Sequence, residues 1–595
     1  MTISGPEPNL PSDSPSSWPA KPTGRSIIAG RPGGASGGPP RGSREADLLS
    51  FHAVDPRTGR ELEGVYQSAT TAQVAEACEA AERAFRANSA RPPEDRAALL
   101  ERIADVIDAS APSLLALASS ETGLSVERLT PELKRTTFNL REFAKVVRAG
   151  AWLRRVVNRH RDRTDHAAHP DLASLLKPLG PVGVFGASNF PLAYSTAGTD
   201  TSSALAAGCS VVVKGHPSHP GTGEVVAQSV AAAVQELGFD PGTFSFLHSG
   251  GGGPREAAVG LELVRHPAIR AIGFTGSCSG GMALAEAART RMVEGASSEF
   301  AGGFGVEGPV ADPIPVFAEM GSTNPVFILP GALRAMGDEV ADAVYSSFTN
   351  SAGQMCTCPG LIFVAAGEDA TRFVSLLAQR VRASEGQVML SFRVREGYHR
   401  RILELIHTQG VRLLARGALA QESRGGGVGE AAGQPIAGVG VGSLPDRAAL
   451  DSVAMLLHTT LDVFLTKGTT RDECFGPSTL IVECPSAEDM VRAARAVQGS
   501  LAASIYARVG GAIPPEDAAL VHKLVALLER RVGRLVFDGV PTGVVPLEAM
   551  VHGGPFPATN MPQATAVGAR AIERWCRPVC YQDWPAELSR DILGD

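Results

Sequence analysis

The chain has 595 residues, of which 44% are hydrophobic and 20% charged, and its formal net charge is −7. That length can bury at least two hydrophobic cores, so several domains are expected. The acidic balance offers no basic surface for nucleic acid, and no apolar run approaches the roughly 20 residues of a membrane span. Because the N-terminus also lacks an export-signal pattern, we expect a cytoplasmic protein with neither nucleic-acid nor membrane partners.

The first 48 residues are rich in Pro, Gly and Ser and lack apolar periodicity, which predicts a disordered tail over 1–48. Ordered sequence is expected from about Phe51. Thr70 and Gln73 have the spacing of a capping box ahead of apolar residues at helical intervals, and a second helix is predicted from Glu94.

From Pro181 the pattern changes to short apolar runs that alternate with helical stretches. This alternation is typical of a parallel sheet with crossover helices, and so predicts an α/β fold. The predicted strands are 182–185, 210–213, 243–247 and 269–274. Later in the chain, two glycine-rich patches at 302–308 and 425–442 are interpreted as surface insertions.

The nine cysteines lack the spacing of a disulfide framework, so reduced thiols are expected. Neither the pair Cys356 and Cys358 nor the pair Cys576 and Cys580 has the second Cys/His pair that a zinc site needs, and no metal is predicted. Cys356, after Gly-Gln-Met, is the candidate nucleophile. A free thiol with a pKa of about 8.5 needs a nearby dipole or base to react at pH 7. The alternative is a small hydrophobic core residue, which is how most cysteines behave.

Two other side chains could serve a nucleophilic thiol. Asn189 follows the predicted strand 182–185 and could donate its amide to an oxyanion, where a fixed donor lowers the barrier by roughly 3 to 4 kcal/mol. It could equally cap a turn. Glu319 could take a proton from the thiol or from water, although a structural role is commoner for any single Glu.

Further segments could hold a dinucleotide. Lys214 ends an apolar strand, where open parallel sheets bind ligands, although a solitary Lys is more often solvated. Gly276, Ser277 and Gly281 lie at a strand-to-helix passage whose N–H groups could meet a pyrophosphate. With 66 glycines in the chain, the specificity of that segment lies in Phe-Thr-Gly-Ser rather than in glycine spacing.

The segment Asp-Glu-Cys-Phe-Gly-Pro supplies one more possible cofactor contact. Glu473 could accept hydrogen bonds from ribose hydroxyls while Phe475 packs against a nicotinamide face. The alternative is a simple turn at Gly-Pro.

Taken together, these segments resemble the aldehyde dehydrogenase superfamily, and the resemblance covers nearly everything from about residue 49 onward. Within it, the 2,5-dioxovalerate (α-ketoglutaric semialdehyde) dehydrogenase branch and related NADP-dependent aldehyde dehydrogenases share two patterns. One is Val-Lys-x-His-Pro-x-His-Pro-Gly at 213–221, and the other is Ala-Met-Val-His-Gly-Gly-Pro-Phe-Pro-Ala-Thr at 549–559, followed by Arg-Pro-Val-Cys-Tyr-Gln at 577–582.

The resemblance implies a Rossmann-like cofactor-binding domain over 49–318, a catalytic α/β domain over 319–550, and a C-terminal segment over 551–595 that completes the active site. In relatives a small element pairs strands between subunits, so a homodimer or homotetramer is implied. The candidate strands lie in 158–178, mainly near 172–178, and near 577–582.

The implied reaction is oxidation of an aldehyde to the carboxylate with NAD(P)+ through a cysteine thioester. Cys356 would attack the carbonyl, Asn189 and the Cys356 N–H would hold the oxyanion, and Glu319 would activate water. His552 would assist the thiol, with a buried structural histidine as the alternative. The resemblance also implies cofactor contacts at Phe185 and Gly321, and a substrate contact at Phe190.

Cofactor preference is predicted from one position. Pro217 stands where NAD-preferring relatives often have a Glu that repels a 2′-phosphate, while His216 and Ser218 could donate to that phosphate. NADP is therefore favoured over NAD.

The predicted substrate is a semialdehyde such as 2,5-dioxovalerate. The branch usually has a basic residue in the loop where this chain has Gln563, so Gln563 is the substrate contact predicted there. Arg141 could compensate by binding the substrate carboxylate, with a merely exposed Arg as the alternative. Alternatives are a fatty or aromatic aldehyde, or a non-catalytic protein that kept the fold. An insertion around 294–310 is expected to loop out away from the chemistry.

Overall fold

The computed structural model describes residues 21–35, 49–159, 170–252, 254–294, 308–418 and 451–589. The helices are α1 (Thr71–Asn88), α2 (Pro93–Ala109), α3 (Ala111–Thr122), α4 (Val126–Ala149), α5 (Thr199–Ala207), α6 (Pro220–Glu236), α7 (Pro254–Arg265), α8 (Cys278–Arg289), α9 (Pro330–Thr349), α10 (Glu368–Arg382), α11 (Phe392–His407), α12 (Leu461–Thr466), α13 (Met490–Ala496) and α14 (Pro515–Leu528).

The strands are β1 (Ile27–Ile28), β2 (Arg31–Pro32), β3 (Ser50–Phe51), β4 (Val54–Asp55), β5 (Arg60–Glu61), β6 (Tyr66–Gln67), β7 (Val156–Asn158), β8 (Leu172–Pro178), β9 (Val182–Phe185), β10 (Val211–Lys214), β11 (Phe244–Leu247), β12 (Ala271–Thr275), β13 (Met292–Glu294), β14 (Pro309–Ala311), β15 (Val316–Glu319), β16 (Val326–Ile328), β17 (Leu361–Ala365), β18 (Gln387–Val388), β19 (Arg412–Arg416), β20 (Asp451–Ser452), β21 (Met455–Thr460), β22 (Ser478–Cys484), β23 (Ser500–Tyr506), β24 (Val532–Phe537) and β25 (Cys576–Gln582).

The first large sheet contains the four strands that the apolar runs predicted. Its order is β15-β12-β9-β10-β11-β1-β2, and the strands from β15 to β11 run parallel. Helices cover both faces, so β9, β10 and β11 are almost continuously buried, which explains runs of apolar residues without alternation. The predicted α/β fold is confirmed.

The N-terminal segment corrects one prediction. The tail 1–48 was expected to be disordered, but 21–35 is folded: Ile27 and Ile28 in β1 are 1% and 0% exposed, and β1 pairs antiparallel with β11. The buried Glu224 carboxylate accepts backbone N–H groups from this segment. Composition misled here because two adjacent isoleucines suffice to add an edge strand. The rest of the predicted tail lies outside the described residues.

The first helices begin as their sequences indicate. At α1 the Thr70 hydroxyl accepts from the Gln73 N–H, and the Gln73 side chain accepts from the Thr70 N–H, which is the predicted capping box. The helix expected from Glu94 begins one residue earlier, at Pro93. In the described part of the chain no single helix is long and apolar enough to cross a membrane, although the pair α2 and α3, bent by 74°, passes by length and composition.

The second large sheet follows the first along the chain. Its order is β19-β21-β22-β17-β16-β23-β24, with β19 antiparallel and the others parallel. The chain passes from the first sheet to the second between Glu319, the last residue of β15, and Val326, the first of β16. This crossing places Glu319 between the two sheets.

A third, three-stranded sheet has the order β25-β8-β7. The two segments predicted as oligomerisation strands do form strands, and they pair antiparallel with each other from Cys576 opposite Pro178 to Gln582 opposite Leu172. Strands β13 and β14 pair at the base of the predicted insertion 294–310. Most of that insertion, and all of 425–442, lies outside the described residues.

Candidate active site

The loop that carries Cys356 has an unusual backbone. After α9, Ser351, Ala352 and Gly353 have φ values of +53°, +55° and +64°. Non-glycine residues rarely adopt this region, and such strain persists only where surrounding contacts impose it. The Asn324 amide provides one such contact, because it donates to the Cys356 carbonyl at 2.8 Å and to the Cys358 carbonyl at 2.9 Å. The thiol is thus carried on a fixed loop.

Cys356, His552 and Glu319 converge, although they lie far apart along the chain. His552 Nε2 is 3.6 Å from Cys356 Sγ and 2.7 Å from Glu319 Oε1. The ligand atoms of all three residues lie within 4.8 Å of one another. His552 and Glu319 are buried, with side-chain exposures of 2% and 5%. A proton can therefore move between thiol, imidazole and carboxylate without crossing solvent.

Asn189 joins this group from the end of β9. Its Nδ2 donates to the Gln354 carbonyl at 3.0 Å, two residues before Cys356. An amide nitrogen has two hydrogens, so the second remains available for an oxyanion beside the thiol. The structure therefore brings together all four predicted catalytic residues.

One C-terminal segment holds both Glu319 and His552 in place. Asn560 accepts from the Ala318 N–H at 2.9 Å and donates to the Val316 carbonyl at 2.8 Å, so it fastens the edge of β15. Thr559 forms an antiparallel bridge with Glu319. Sequence analysis did not identify Asn560, although a polar residue directly after the Pro-Ala-Thr pattern was the available signal.

The electrostatics of the group are opposed. Burial raises the pKa of Glu319, but the charge and hydrogen bond of His552 outweigh it and lower the pKa overall. Burial and the neighbouring Glu319 carboxylate raise the pKa of the Cys356 thiol well above its usual value. In this arrangement the resting thiol is protonated and the carboxylate ionised, so Glu319 is the acceptor for the thiol proton, with His552 Nε2 between them as a relay.

Beside Cys356 an apolar wall leads toward the surface. It is formed by buried side chains with three partly buried ones packed on them, namely Ala187, Phe190, Ala193, Tyr194 and Val567, with Met355, Val544 and Met550. The Tyr194 ring stacks on the His552 ring with centroids 6.1 Å apart. Phe190, predicted to contact substrate, belongs to this wall. An aldehyde approaching the thiol would meet these side chains.

Helix α4 presents arginines to this wall that sequence analysis missed. The Arg128 guanidinium lies 4.7 Å from the Phe190 ring centroid, and its Nε donates to the Ser351 hydroxyl at 2.9 Å. The Arg135 guanidinium lies 4.9 Å from the Tyr194 ring centroid and donates to the Tyr194 hydroxyl. Their spacing of seven residues places both on one face of the helix, a signal present in the sequence.

Both predicted carboxylate anchors are placed elsewhere. Arg141 lies on another face of α4, where it donates to Asp105 at 2.7 Å and to Asp108 at 2.8 Å. Arg135 and Arg141 are six residues apart, which is more than one and a half helical turns, so they lie on different faces of α4. The contact of Arg141 with substrate stays a prediction. Gln563 is exposed and belongs to no part of the apolar wall.

The predicted adenosine-side residues lie at the carboxyl ends of β9 and β10. Lys214 is paired in register with Phe185, and its Nζ is 5.9 Å from the Phe185 ring centroid. Burial lowers the pKa of Lys214 to about 8. His216 Nδ1 accepts from the Ser218 N–H at 3.2 Å, and burial holds the pKa of His216 well below its usual value. His216 is thus a neutral ring whose Nε2 carries the proton and can donate.

The Phe-Thr-Gly-Ser segment opens α8. Ser277 caps this helix by accepting from the Gly280 N–H at 3.2 Å, and Gly276 and Ser277 are exposed. The Gly276 N–H donates to the Glu319 carbonyl at 3.0 Å, so the feature of this segment that suits a phosphate is the exposed positive end of the α8 dipole. Gly281 is a buried residue of α8, and a Cβ there would lie 2.8 Å from Met320 Sδ. Close packing against Met320 therefore favours glycine at this position, and its contact with a phosphate stays a prediction.

Glu473 and Gly321 meet across the junction of the two sheets. A Cβ at position 321 would lie 2.1 Å from Glu473 Oε2, so only glycine permits this approach. Glu473 Oε1 accepts from the Ser322 N–H at 3.1 Å, and burial raises the pKa of Glu473 to about 7. Glu473 and Phe475 line a pocket that extends to Met355, next to Cys356. A carboxylate and an aromatic ring in one pocket beside the thiol loop are the groups that would hold the ribose and ring of a bound dinucleotide.

Known proteins share this architecture and sequence. Residues 44–390 match the aldehyde dehydrogenase family. The chain is 40% identical over 548 residues to α-ketoglutaric semialdehyde dehydrogenase 2 of Azospirillum brasilense, covering 92% of this chain and 94% of that protein. It is 36% identical over 532 residues to α-ketoglutaric semialdehyde dehydrogenase of Acinetobacter baylyi, covering 89% of this chain and 90% of that protein.

Among solved structures, betaine aldehyde dehydrogenase of Staphylococcus aureus has the same fold, with a TM-score of 0.69 at 17% identity, over 95% of this chain and 96% of that chain. The chain belongs to the aldehyde dehydrogenase family. It is an NAD(P)-dependent oxidoreductase that acts on aldehydes.

Proposed function

We propose that this enzyme oxidises a semialdehyde, such as 2,5-dioxovalerate, to the carboxylate through a thioester on Cys356. The observation that carries the proposal is the convergence of Cys356, His552 and Glu319 within 4.8 Å at the end of an apolar wall. The two α-ketoglutaric semialdehyde dehydrogenases, at 40% and 36% identity over most of their length, support the substrate class.

The first step forms a bond between Cys356 Sγ and the aldehyde carbon. The thiol proton passes to Glu319, directly or through His552 Nε2, which takes it only as it gives its own proton to Glu319, and the carbonyl electrons move to oxygen. The Asn189 amide and the Cys356 N–H donate to that oxyanion. A fixed donor of this kind lowers the barrier by roughly 3 to 4 kcal/mol.

When bound, NAD(P)+ would accept the hydride from the Cys356 adduct and so leave a thioester on that sulfur. The groups that would hold the dinucleotide are Lys214, His216 and Ser218 at the adenosine end and Glu473 with Phe475 at the nicotinamide end. Gly276 and Ser277 would meet the pyrophosphate at the start of α8. The pocket at Glu473 and Phe475 and the exposed start of α8 support this assignment.

Hydrolysis completes the reaction. Glu319 Oε1 accepts from His552, whereas Oε2 is buried and has no hydrogen-bond partner among the described residues. Once the proton taken up in the first step has left to solvent, that oxygen accepts a proton from water, whose oxygen bonds to the thioester carbon while the C–S bond breaks. The sulfur recovers a proton, and the carboxylate leaves.

We propose NADP as the preferred cofactor. Lys214 has the Arg393 guanidinium as a neighbouring positive charge and Glu256 as a neighbouring negative one, and Arg393 pairs with Glu256 at 3.4 Å. Two cations against one carboxylate leave a net positive charge for a 2′-phosphate. Quenching of intrinsic fluorescence should give a lower Kd for NADPH than for NADH, and equal values would contradict the preference.

A homodimer or homotetramer is also proposed. Strand β7 contributes an exposed edge to the three-stranded sheet, with Val156 and Val157 54% and 38% exposed. Apolar side chains on a free strand edge favour pairing with another chain. Light scattering of the purified protein would measure the assembly, and a monomer would contradict the proposal.

The test of function uses the purified enzyme with 2,5-dioxovalerate and either dinucleotide, followed at 340 nm. Cys356→Ala should abolish turnover, whereas Cys580→Ala, at an exposed thiol, should not. The apolar wall also suits a fatty or aromatic aldehyde, so hexanal and benzaldehyde belong in the same panel. A higher kcat/KM for those than for the semialdehyde would reject the proposed substrate, and full turnover by Cys356→Ala would reject the nucleophile.

A further inference from the structure

Two arginines on the site-facing side of helix α4, Arg128 and Arg135, differ in whether a carboxylate neutralises them. Arg128 is neutralised, since its Nη1 donates to Glu132 at 2.7 Å. The same carboxylate accepts the N–H groups of Leu192 at 2.9 Å and Ala193 at 3.1 Å. Arg128 and Glu132 therefore form a closed unit that supports the loop after Asn189. Arg135, about one turn beyond Glu132 along α4, is not part of that unit.

Arg135 holds an uncompensated charge near the thiol. Its guanidinium lies over the Tyr194 ring and donates to the Tyr194 hydroxyl, and that ring stacks on His552, whose Nε2 is 3.6 Å from Cys356 Sγ. Within the described ranges, no carboxylate lies within 4.0 Å of Arg135. A guanidinium has five N–H donors, and Tyr194 accepts from one nitrogen only.

A second guanidinium without a carboxylate partner comes from β24. Arg534 donates to the Gly543 carbonyl at 2.7 Å and to the Pro541 carbonyl, two neutral acceptors. These two carbonyls lie shortly before Val544 in the chain, a member of the apolar wall, so Arg534 is held beside that wall. The charges of Cys356 and Tyr194 act on Arg534 and raise its pKa against the lowering by burial. Two cations from different elements thus flank an otherwise apolar wall.

Such an arrangement favours an anionic ligand over a neutral one. Near an apolar surface the attraction between a cation and a carboxylate is stronger than in water, and here no protein counter-ion competes for it. A guanidinium can also donate two parallel hydrogen bonds to one carboxylate. A neutral aldehyde would leave both charges uncompensated beside its alkyl chain.

Resting on the proposed function, we infer that Arg135, supported by Arg534, selects aldehydes that carry a carboxylate at the end remote from the aldehyde group. Arg135 is thus the specificity-determining residue in the role that sequence analysis gave to Arg141. The substrate class is ω-oxo carboxylates, with the apolar wall packing their methylene carbons.

The experiment compares aldehydes of equal length that differ in charge. For each variant, kcat/KM is measured with 2,5-dioxovalerate and with pentanal, using the same dinucleotide. Arg135→Met should lower kcat/KM for 2,5-dioxovalerate on the order of 100-fold, mainly through KM, because a hydrogen-bonded charge pair is lost. The kcat/KM for pentanal should change by less than about threefold. Arg135→Lys, which keeps the charge, should retain part of the kcat/KM for 2,5-dioxovalerate that Arg135→Met loses.

Two controls separate recognition from structure. Arg141→Met makes the same change on the same helix and should leave the ratio of the two substrates unaltered. Tyr194→Phe keeps the ring but removes the hydroxyl that Arg135 holds, and it should also keep that ratio.

Equal losses for both substrates in Arg135→Met would overturn the inference, because Arg135 would then only position Tyr194. An unchanged ratio would overturn it as well. If the unaltered enzyme oxidised neither aldehyde nor any other in the panel, the proposed function would fail and this inference with it. If the unaltered enzyme oxidises 2,5-dioxovalerate and Arg135→Met keeps the same kcat/KM for it, this inference fails while the proposed function stands.

Discussion

His552 donates its Nε2 side to Glu319 Oε1 at 2.7 Å, and the same nitrogen is the one that faces Cys356 Sγ. A single imidazole nitrogen thus serves both the carboxylate and the thiol. This differs from a relay in which the two ring nitrogens serve different partners. The charge on His552 consequently controls the ionisation of Glu319 directly, which lowers the pKa of that carboxyl.

Removing His552 should shift the pH profile in a defined direction. In His552→Gln the pKa of Glu319 should rise, because burial then acts without the imidazole to offset it. Ionised Glu319 is present only above its pKa, so the acidic limb of kcat should move to higher pH. At pH 7 kcat/KM should fall on the order of 100-fold, as expected for loss of an acid–base group.

The measurement is steady-state kinetics over a series of buffers. His407→Gln, at an exposed histidine at the end of α11, is the control and should give the unaltered profile. An acidic limb that stays in place in His552→Gln would show that His552 does not set the ionisation of Glu319.

Glu319→Gln should separate the two halves of the reaction. The amide can still accept from His552, but it cannot take a proton from water, so hydrolysis should slow by roughly 100- to 10,000-fold. Rapid mixing should then show a burst of NADPH near one equivalent per site, followed by slow turnover. Mass spectrometry should find the acyl group on Cys356. Loss of the burst together with steady turnover would mean that the carboxylate is required earlier, for the thiol proton.

Asn560 should matter for both stability and catalysis. Asn560→Ala removes two hydrogen bonds to the edge of β15 and leaves an N–H and a carbonyl unpaired, which should cost about 1–3 kcal/mol in the free energy of unfolding. Because β15 ends at Glu319, kcat should fall too. Urea denaturation and kinetics measure the two effects. Gln563→Ala, three residues on and exposed, should change stability by less than about 0.5 kcal/mol. Similar losses in both variants would contradict this role.

Cofactor affinity should depend on pH through Glu473. Its pKa of about 7 means that the carboxylate is mostly protonated below neutral pH and ionised above it. The ionised form accepts ribose hydroxyls better, so the Kd for NADPH should fall as the pH rises through about 7. Fluorescence titrations at several pH values would measure this. Glu473→Gln should flatten the dependence, whereas the exposed neighbour Asp472→Asn should retain it. If the Kd for NADPH depended on pH in Glu473→Gln as it does in the unaltered enzyme, Glu473 would not be the group that titrates.

The sequence by itself determined the elements and the reacting groups that have strong local signals. Continuous apolar runs predicted strands β9 to β12, because strands buried on both faces need no polar alternation. Cys356, Glu319 and Asn189 could be selected because each lies in a segment that resembles a known family. The capping box at Thr70 predicted the start of α1 from four residues alone.

Only the tertiary structure decided which side chains meet. Arg135 and Arg141 are both arginines on α4, yet only the packing of that helix shows that Arg135 faces Tyr194 while Arg141 pairs with Asp105 and Asp108. Likewise, composition placed Ile27 and Ile28 in a disordered tail, whereas the structure shows that they form β1 and pair with β11. Helical periodicity and composition are properties of one segment, whereas the contacts of a charged side chain depend on other elements, 33 to 59 residues away for these two arginines.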